Sequence, residues 1–259
     1  MEPQLRDDVR RALRDHVLAD RRLGLSTLPV RLPAAGGVPA PVPANFDPIQ
    51  AMEAEAFEQR RVRLEVIDRD EVTPCTKCGL SETRTKTVFG VGSPGAKILF
   101  VGEAPGHDED MQGEPFVGRA GRLLTDMIQK GMGLRREDVY ICNILKCRPP
   151  NNRDPASDEI SCCRDYLFRQ IEIIRPEVIV ALGSPASKML LDTREGIGRL
   201  RGTFHDFYPS GTSLVGEPIP LMATYHPAYL LRSPGEKNKA WADLKMVMAR
   251  LGIPLPARG

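Results

Sequence analysis

The stretch "PEVIVALGSPASKMLLD", residues 176–192, changes character halfway. Its first part, PEVIVALG, is a short unbroken apolar run of the kind that forms a strand covered on both faces. Its second part, SPASKMLLD, reads as a helix that begins as soon as the strand ends. The same pairing repeats along the chain. AKILFVG (96–102), DVYICNIL (138–145) and IPLMATY (219–225) are further β-rich runs, while AGRLLTDMIQKG (120–131), ASDEISCCRDYLFRQIEIIR (156–175) and KNKAWADLKMVMARLG (237–252) are helical stretches. Strands alternating with helices imply parallel pairing, because each crossover needs a helix's worth of chain. The expected fold is therefore α/β, a three-layer α/β/α domain with a central four-stranded parallel sheet. Sites in such folds lie beyond the carboxyl ends of the strands.

Upstream of this domain the pattern differs. Leu5, Val9, Leu13 and Val17 recur at helical spacing, "STLPVRLPAAGGVPAPVPANFDP" reads as an extended linker, and a second helix is expected from Pro48 to about Asp70. We place the division at residues 1–73, a helical and Pro-rich extension, and 74–259, the α/β domain. The extension would either fold back on its own domain or dock a protein partner.

Composition sets limits without naming a partner. The chain has 259 residues, 41% hydrophobic and 27% charged, with 36 Lys+Arg against 34 Asp+Glu, so a net charge of +2 offers no global attraction to nucleic acid. A nucleic-acid binder of this balance must concentrate its basic residues locally. The first 22 residues are charged throughout and lack the apolar centre of an export signal, and no run approaches the ~18 apolar residues of a membrane span. The expected setting is a reducing cytoplasm without a membrane partner, where the six cysteines are metal ligands or buried thiols rather than disulfides.

Residues at the strand exits carry the candidate chemistry. The first strand runs into "GEAPGHDEDMQGEPFVGRAGRLL", where small residues and a proline hold Glu103 and Ala104 just beyond the sheet. Phe116 lies outside any apolar periodicity, so it is either core or a ring that stacks on a flat ligand. Gly118 to Gly121 open a helix whose first turn carries Arg119 and Arg122. Asn143 closes the second strand. Its primary amide matches O4 and N3–H of uracil and mismatches cytosine, although a lone Asn there is more often a strand-end cap. After the fourth strand, "YHPAYLLR" fixes His226 before a proline and follows it with Leu230, Leu231 and Arg232, the composition of a wedge into a base stack or of an ordinary buried helix. "GVGSPG" (90–95) precedes a strand instead of following one and does not bind a dinucleotide.

Cys75 and Cys78 form "CTKC", and Cys147 and Cys163 lie far downstream. One close pair with two dispersed thiols suits an iron–sulfur cluster tied between separate segments, with zinc as the alternative. Cys142 reads as a buried thiol, and Cys162 is an ambiguous neighbour of Cys163.

In order, "CTKC", "VGEAPG", "PFVGRAGRLL", "CNILKCRPPNNRDP" and "YHPAYLLR" resemble the motifs of the family 4 uracil-DNA glycosylases, from about Cys75 to Leu251. The resemblance implies a [4Fe–4S] cluster on Cys75, Cys78, Cys147 and Cys163. It implies Glu103 and His226 as catalytic residues, with Ala104, Phe116 and Asn143 at the base. From their places in the loops, Arg119, Arg148, Arg153 and Arg232 are expected near the DNA backbone, with Leu230 or Leu231 inserted into the base stack. The partner that the resemblance implies is uracil-containing DNA, single- or double-stranded, met by a monomer. Two rivals remain on the sequence alone: a glycosylase of broader specificity, and a non-catalytic DNA-binding module with a metal staple.

Overall fold

In the computed structural model, residues 48–209 and 217–256 are described, so the helix expected near the N-terminus and the Pro-rich linker lie outside the described residues. Helix α1 (Pro48–Ile67) continues into a π-helical turn at Asp68–Val72. The sheet is built from β1 (Val91–Gly92), β2 (Ile98–Gly102), β3 (Tyr140–Asn143), β4 (Val178–Leu182), β5 (Phe204–Phe207) and β6 (Ile219–Thr224), in the order β1-β3-β2-β4-β6-β5. β3, β2, β4 and β6 run parallel, with Gly102 opposite Asn143 and Leu182 opposite Thr224, so the exits of the predicted strands share one rim.

The expectation of four strands is corrected to six among the described residues. β1 pairs antiparallel with β3 and β5 antiparallel with β6. Neither carries an apolar run long enough to announce itself: β1 is two residues, and β5 reads FHDF with only Phe207 buried. They close the edges of the parallel core, which would otherwise present unpaired backbone groups.

Every residue of β2, β3 and β4 is buried. The pleat sends alternate side chains to opposite layers. Leu99, Val101, Cys142, Ile179 and Ala181 join one core cluster with α4 (Ser157–Ile174), and Ile98, Phe100, Ile141, Val178 and Val180 join the other with α3 (Arg119–Asp126) and α8 (Lys237–Arg250); the connections also carry the short helices α2 (His107–Gln112), α5 (Ser184–Leu190) and α6 (Ile197–Leu200). Each fully buried Leu, Ile or Phe contributes about 1.5–3 kcal/mol.

Helix α1 belongs to this body. Leu64, Ile67 and Val72 enter the first core cluster, Arg60 donates to the carbonyl of Ile174 at 3.3 Å, and Arg169 grips Glu71 at 2.5 and 2.6 Å. The chain therefore packs with the domain from well before residue 74. Among the described residues, no helix is long and apolar enough to cross a membrane.

Candidate active site

At the shared rim a cleft of about 250 Å³ is lined by Glu103, Ala104, Phe116, Asn143 and His226, with Glu109, Asn152, Arg153 and Asp154 among the other walls. That volume falls below the ~300–1,000 Å³ of drug-sized sites and suits one base ring. Five residues spread from 103 to 226 meet there because β2, β3 and β6 all end at this edge.

Asn143 is 1% exposed, and its Oδ1 is the one buried side-chain oxygen or nitrogen among the described residues that lacks a hydrogen-bond partner. Leaving such an acceptor unpaired costs about 1–3 kcal/mol, which a ligand donor would recover. Gly102 makes room for it: a Cβ there would collide with Asn143 Oδ1 and lie 2.6 Å from Phe116 Cζ.

Phe116 is buried and sits in the left-handed region at φ 54°. For a non-glycine residue that strain persists only where its surroundings enforce it. Glu109 supplies the restraint, accepting from the N–H groups of Val117 and Gly118 at 3.0 Å each and of Gly106 at 3.1 Å. Gly121 completes it, because any Cβ there would overlap the Phe116 carbonyl. The Phe116 ring lies 5.5 Å from that of His226, tilted by 34°.

His226 caps α7 (Pro227–Arg232), and its Nδ1 accepts from the Ala228 N–H at 3.1 Å. That bond fixes the neutral tautomer with its proton on Nε2. Burial, reinforced by the charge of Arg232, pushes the imidazole down to about 4, so it is a neutral donor near pH 7. Burial raises the carboxyl of Glu103 above its usual range, and the nearby charge of Asp154 adds to the rise.

The residues expected to face DNA divide. Arg119 and Arg232 are exposed and Leu231 is partly so. Arg148 donates to Asn152 Oδ1 at 2.8 Å and lies 3.1 Å from His107 Nδ1. Two expectations are corrected. Leu230 is 1% exposed, on the inner face of α7, and cannot serve as a wedge. Arg153 is committed to Glu159 by paired bonds of 2.9 and 2.6 Å, which neutralise the charge that a phosphate would need. Glu159 also accepts from Ala156 N–H at 2.8 Å, so this pair caps α4. Glu109 and Asp154 were not singled out from the sequence, since one acid in an acidic loop and one in a turn carry no distinguishing pattern.

The thiols meet on the far side of β3's exit. Cys75, Cys78, Cys147, Cys162 and Cys163 line one pocket with Val72, Leu80, Leu145 and Tyr166. Yet among the described residues no three His, Cys, Asp or Glu side chains converge on a single ion. A [4Fe–4S] core takes one thiolate at each iron and needs them spread around a larger volume. Arg84 donates to Cys147 Sγ and the Lys146 N–H to Cys163 Sγ, both at 3.3 Å, contacts that suit anionic sulfur. Cys75, Cys78, Cys147 and Cys163 pack with the core, whereas the Cys162 thiol lies 3.5 Å from the Lys77 carbonyl. Thiols gathered from three segments match the donor chemistry of an iron–sulfur cluster.

The family described as UDG, Uracil DNA glycosylase superfamily, matches residues 89–245. The chain is 48% identical over 190 residues to a type-4 uracil-DNA glycosylase of Archaeoglobus fulgidus, covering 72% of this chain and 92% of that one. It is 46% identical over 186 residues to a type-4 uracil-DNA glycosylase of Saccharolobus solfataricus (70% and 84% covered), and 47% identical over 174 residues to one from Thermotoga maritima (67% and 86%).

Proposed function

The chain belongs to the uracil DNA glycosylase superfamily, in its type-4 branch, and on that footing we propose how its residues remove uracil from DNA. The reaction is hydrolysis of the N-glycosidic bond of deoxyuridine, which frees uracil and leaves an abasic site for repair.

The base must leave its stack before C1′ can be reached. Leu231 fills the vacated space, and Arg119, Arg148 and Arg232 meet the backbone. Phe116 stacks on the extruded ring. Asn143 Oδ1 accepts from uracil N3–H, while its amide N–H donates to O4. Cytosine presents an acceptor at N3 and a donor at C4, so the same amide meets it with both groups mismatched.

As the C1′–N1 bond breaks, its electron pair moves into the uracil ring and charge gathers on O2. The His226 Nε2–H donates to that oxygen. A neutral imidazole already holding its proton needs no rearrangement as the charge develops, and donors of this kind are worth about 2.7–4 kcal/mol. The Glu103 carboxylate orients a water toward C1′ and offsets the sugar's positive charge; the water oxygen bonds C1′ and its released proton leaves through the carboxylate. Cys75, Cys78, Cys147 and Cys163 would hold a [4Fe–4S] cluster, which supplies a structural tie between the segment before β1 and the loop after β3.

The observation that carries this reading is the buried, unpaired Oδ1 of Asn143, a residue that lines the same cleft as a ring, a neutral histidine and a carboxylate. The test is excision from uracil-containing single- and double-stranded oligonucleotides, with abasic sites revealed by alkali. Wild type should cleave, and Glu103→Ala and His226→Ala should lose most of the rate. Wild type that leaves uracil in place refutes the assignment. Parallel U·G, T·G and hypoxanthine substrates measure specificity.

A further inference from the structure

Lys146 is 1% exposed, although it immediately precedes a cysteine in a loop leaving the sheet. Its Nζ donates to the Asn143 carbonyl at 2.8 Å and to Gln170 Oε1 at 2.6 Å. Gln170 is held in turn, donating to the Phe89 carbonyl at 3.0 Å and to the Tyr140 hydroxyl at 3.2 Å. The main chain of Lys146 is also engaged: its N–H meets Cys163 Sγ at 3.3 Å, and its carbonyl accepts from Val88 N–H at 2.7 Å.

Burying an ammonium costs several kcal/mol that a Leu or Met of similar volume would avoid. What the ammonium does that an apolar chain cannot is tie two acceptors together, Gln170 Oε1 and the carbonyl of the residue whose side chain reads the base. The neighbouring turn is fixed by Ile144 N–H to the Gly102 carbonyl and Leu145 N–H to the Glu103 carbonyl, both at 3.0 Å, and the Lys146 ammonium adds the bond that holds the Asn143 carbonyl. An amide with no side-chain partner at Oδ1 keeps its orientation only if the backbone that carries it cannot rotate.

We propose that Lys146 is a positioning residue for uracil recognition: it locks the Asn143 backbone so that the orphan amide stays aimed at the base, and its N–H on Cys163 joins that lock to the thiol-lined lobe. The inference rests on the reading of Asn143 given above.

The test uses full-length Lys146→Met, with Lys146→Gln as a second variant that keeps a polar group in the buried site but is too short to reach the carbonyl. Binding is measured to two oligonucleotides, one with a non-hydrolysable 2′-fluoroarabino-uracil and one with a tetrahydrofuran abasic analogue, alongside melting temperature and iron content. The expected result is an about 10- to 100-fold loss of preference for the uracil analogue. Abasic binding and iron content should be retained, and excision of uracil should slow. Should Lys146→Met not fold, the same selective loss in Lys146→Gln sustains the proposal. An unchanged preference in a folded variant overturns it. So does a parallel loss of both affinities with melting temperature, since that is what a purely structural role produces. Wild type that excises uracil while the variants keep full preference sinks this inference alone; wild type inert on uracil sinks the functional reading beneath it.

Discussion

Gly102→Ala tests the base-reading geometry with one methyl group. Gly102 pairs with Asn143 across β2 and β3, and the added carbon would lie 2.6 Å from Phe116 Cζ and 2.9 Å from Cε2 while overlapping Asn143 Oδ1. Carbon–carbon contacts settle at ≈3.5–4.0 Å, so the ring must retreat by about 1 Å. The Phe116 backbone cannot follow, pinned at φ 54° by Glu109 and pressed against Gly121. The ring and the amide must therefore turn away from their present positions. Overpacking of this kind costs about 1–3 kcal/mol of stability, leaving a folded protein. A displacement of 1 Å at reacting groups costs about 10²-fold, equivalent to about 2.7 kcal/mol of barrier. Single-turnover excision from a uracil oligonucleotide, with urea denaturation in parallel, measures both. Gly198→Ala, with nothing within 4 Å of its Cβ, is the control and should match wild type. A Gly102→Ala protein that excises uracil within about threefold of wild type would show that the ring and amide do not set the rate from these positions.

His226→Gln should lower kcat about 10²- to 10³-fold with little change in KM, by removing a donor that acts on developing charge. The acid limb of kcat/KM should belong to Glu103. Its raised pKa means that falling pH neutralises it first, whereas His226 gains its proton only near 4. Asp154→Asn removes a like charge, favours the ionised carboxylate and should move that limb to lower pH; a limb that stays in place separates the two acids. Leu230→Ala should cost about 2–5 kcal/mol of stability as a core deletion, whereas Leu231→Ala should leave the melting temperature unchanged and slow excision from duplex more than from single strands. Cys147→Ser should lose iron and the absorbance near 400 nm; iron retained at wild-type stoichiometry contradicts the ligand assignment.

The parallel core was legible because four strands buried on both faces are written as unbroken apolar runs, and Glu103, Phe116, Asn143 and His226 stood out by closing or following them. What escaped was set by packing that leaves no periodic mark in the sequence. A helix face decided Leu230, whose sequence reads equally well as wedge or core. Arg153 looked like a phosphate contact because its partner Glu159 lies on the next helix, with nothing at hairpin spacing to link them. β1 and β5 owe their existence to neighbours that supply hydrogen bonds, not to any pattern of their own. Lys146 was hidden most completely, since nothing about a lysine in "ILKCRPP" announces burial; only the carbonyl and amide around its ammonium reveal it.

The most direct measurement uses free bases as inhibitors of excision. Uracil and 1-methyluracil keep the N3–H that Asn143 Oδ1 would accept, and 3-methyluracil lacks it. The first two should inhibit and the third should not; equal inhibition by 3-methyluracil would remove Asn143 Oδ1 from base recognition.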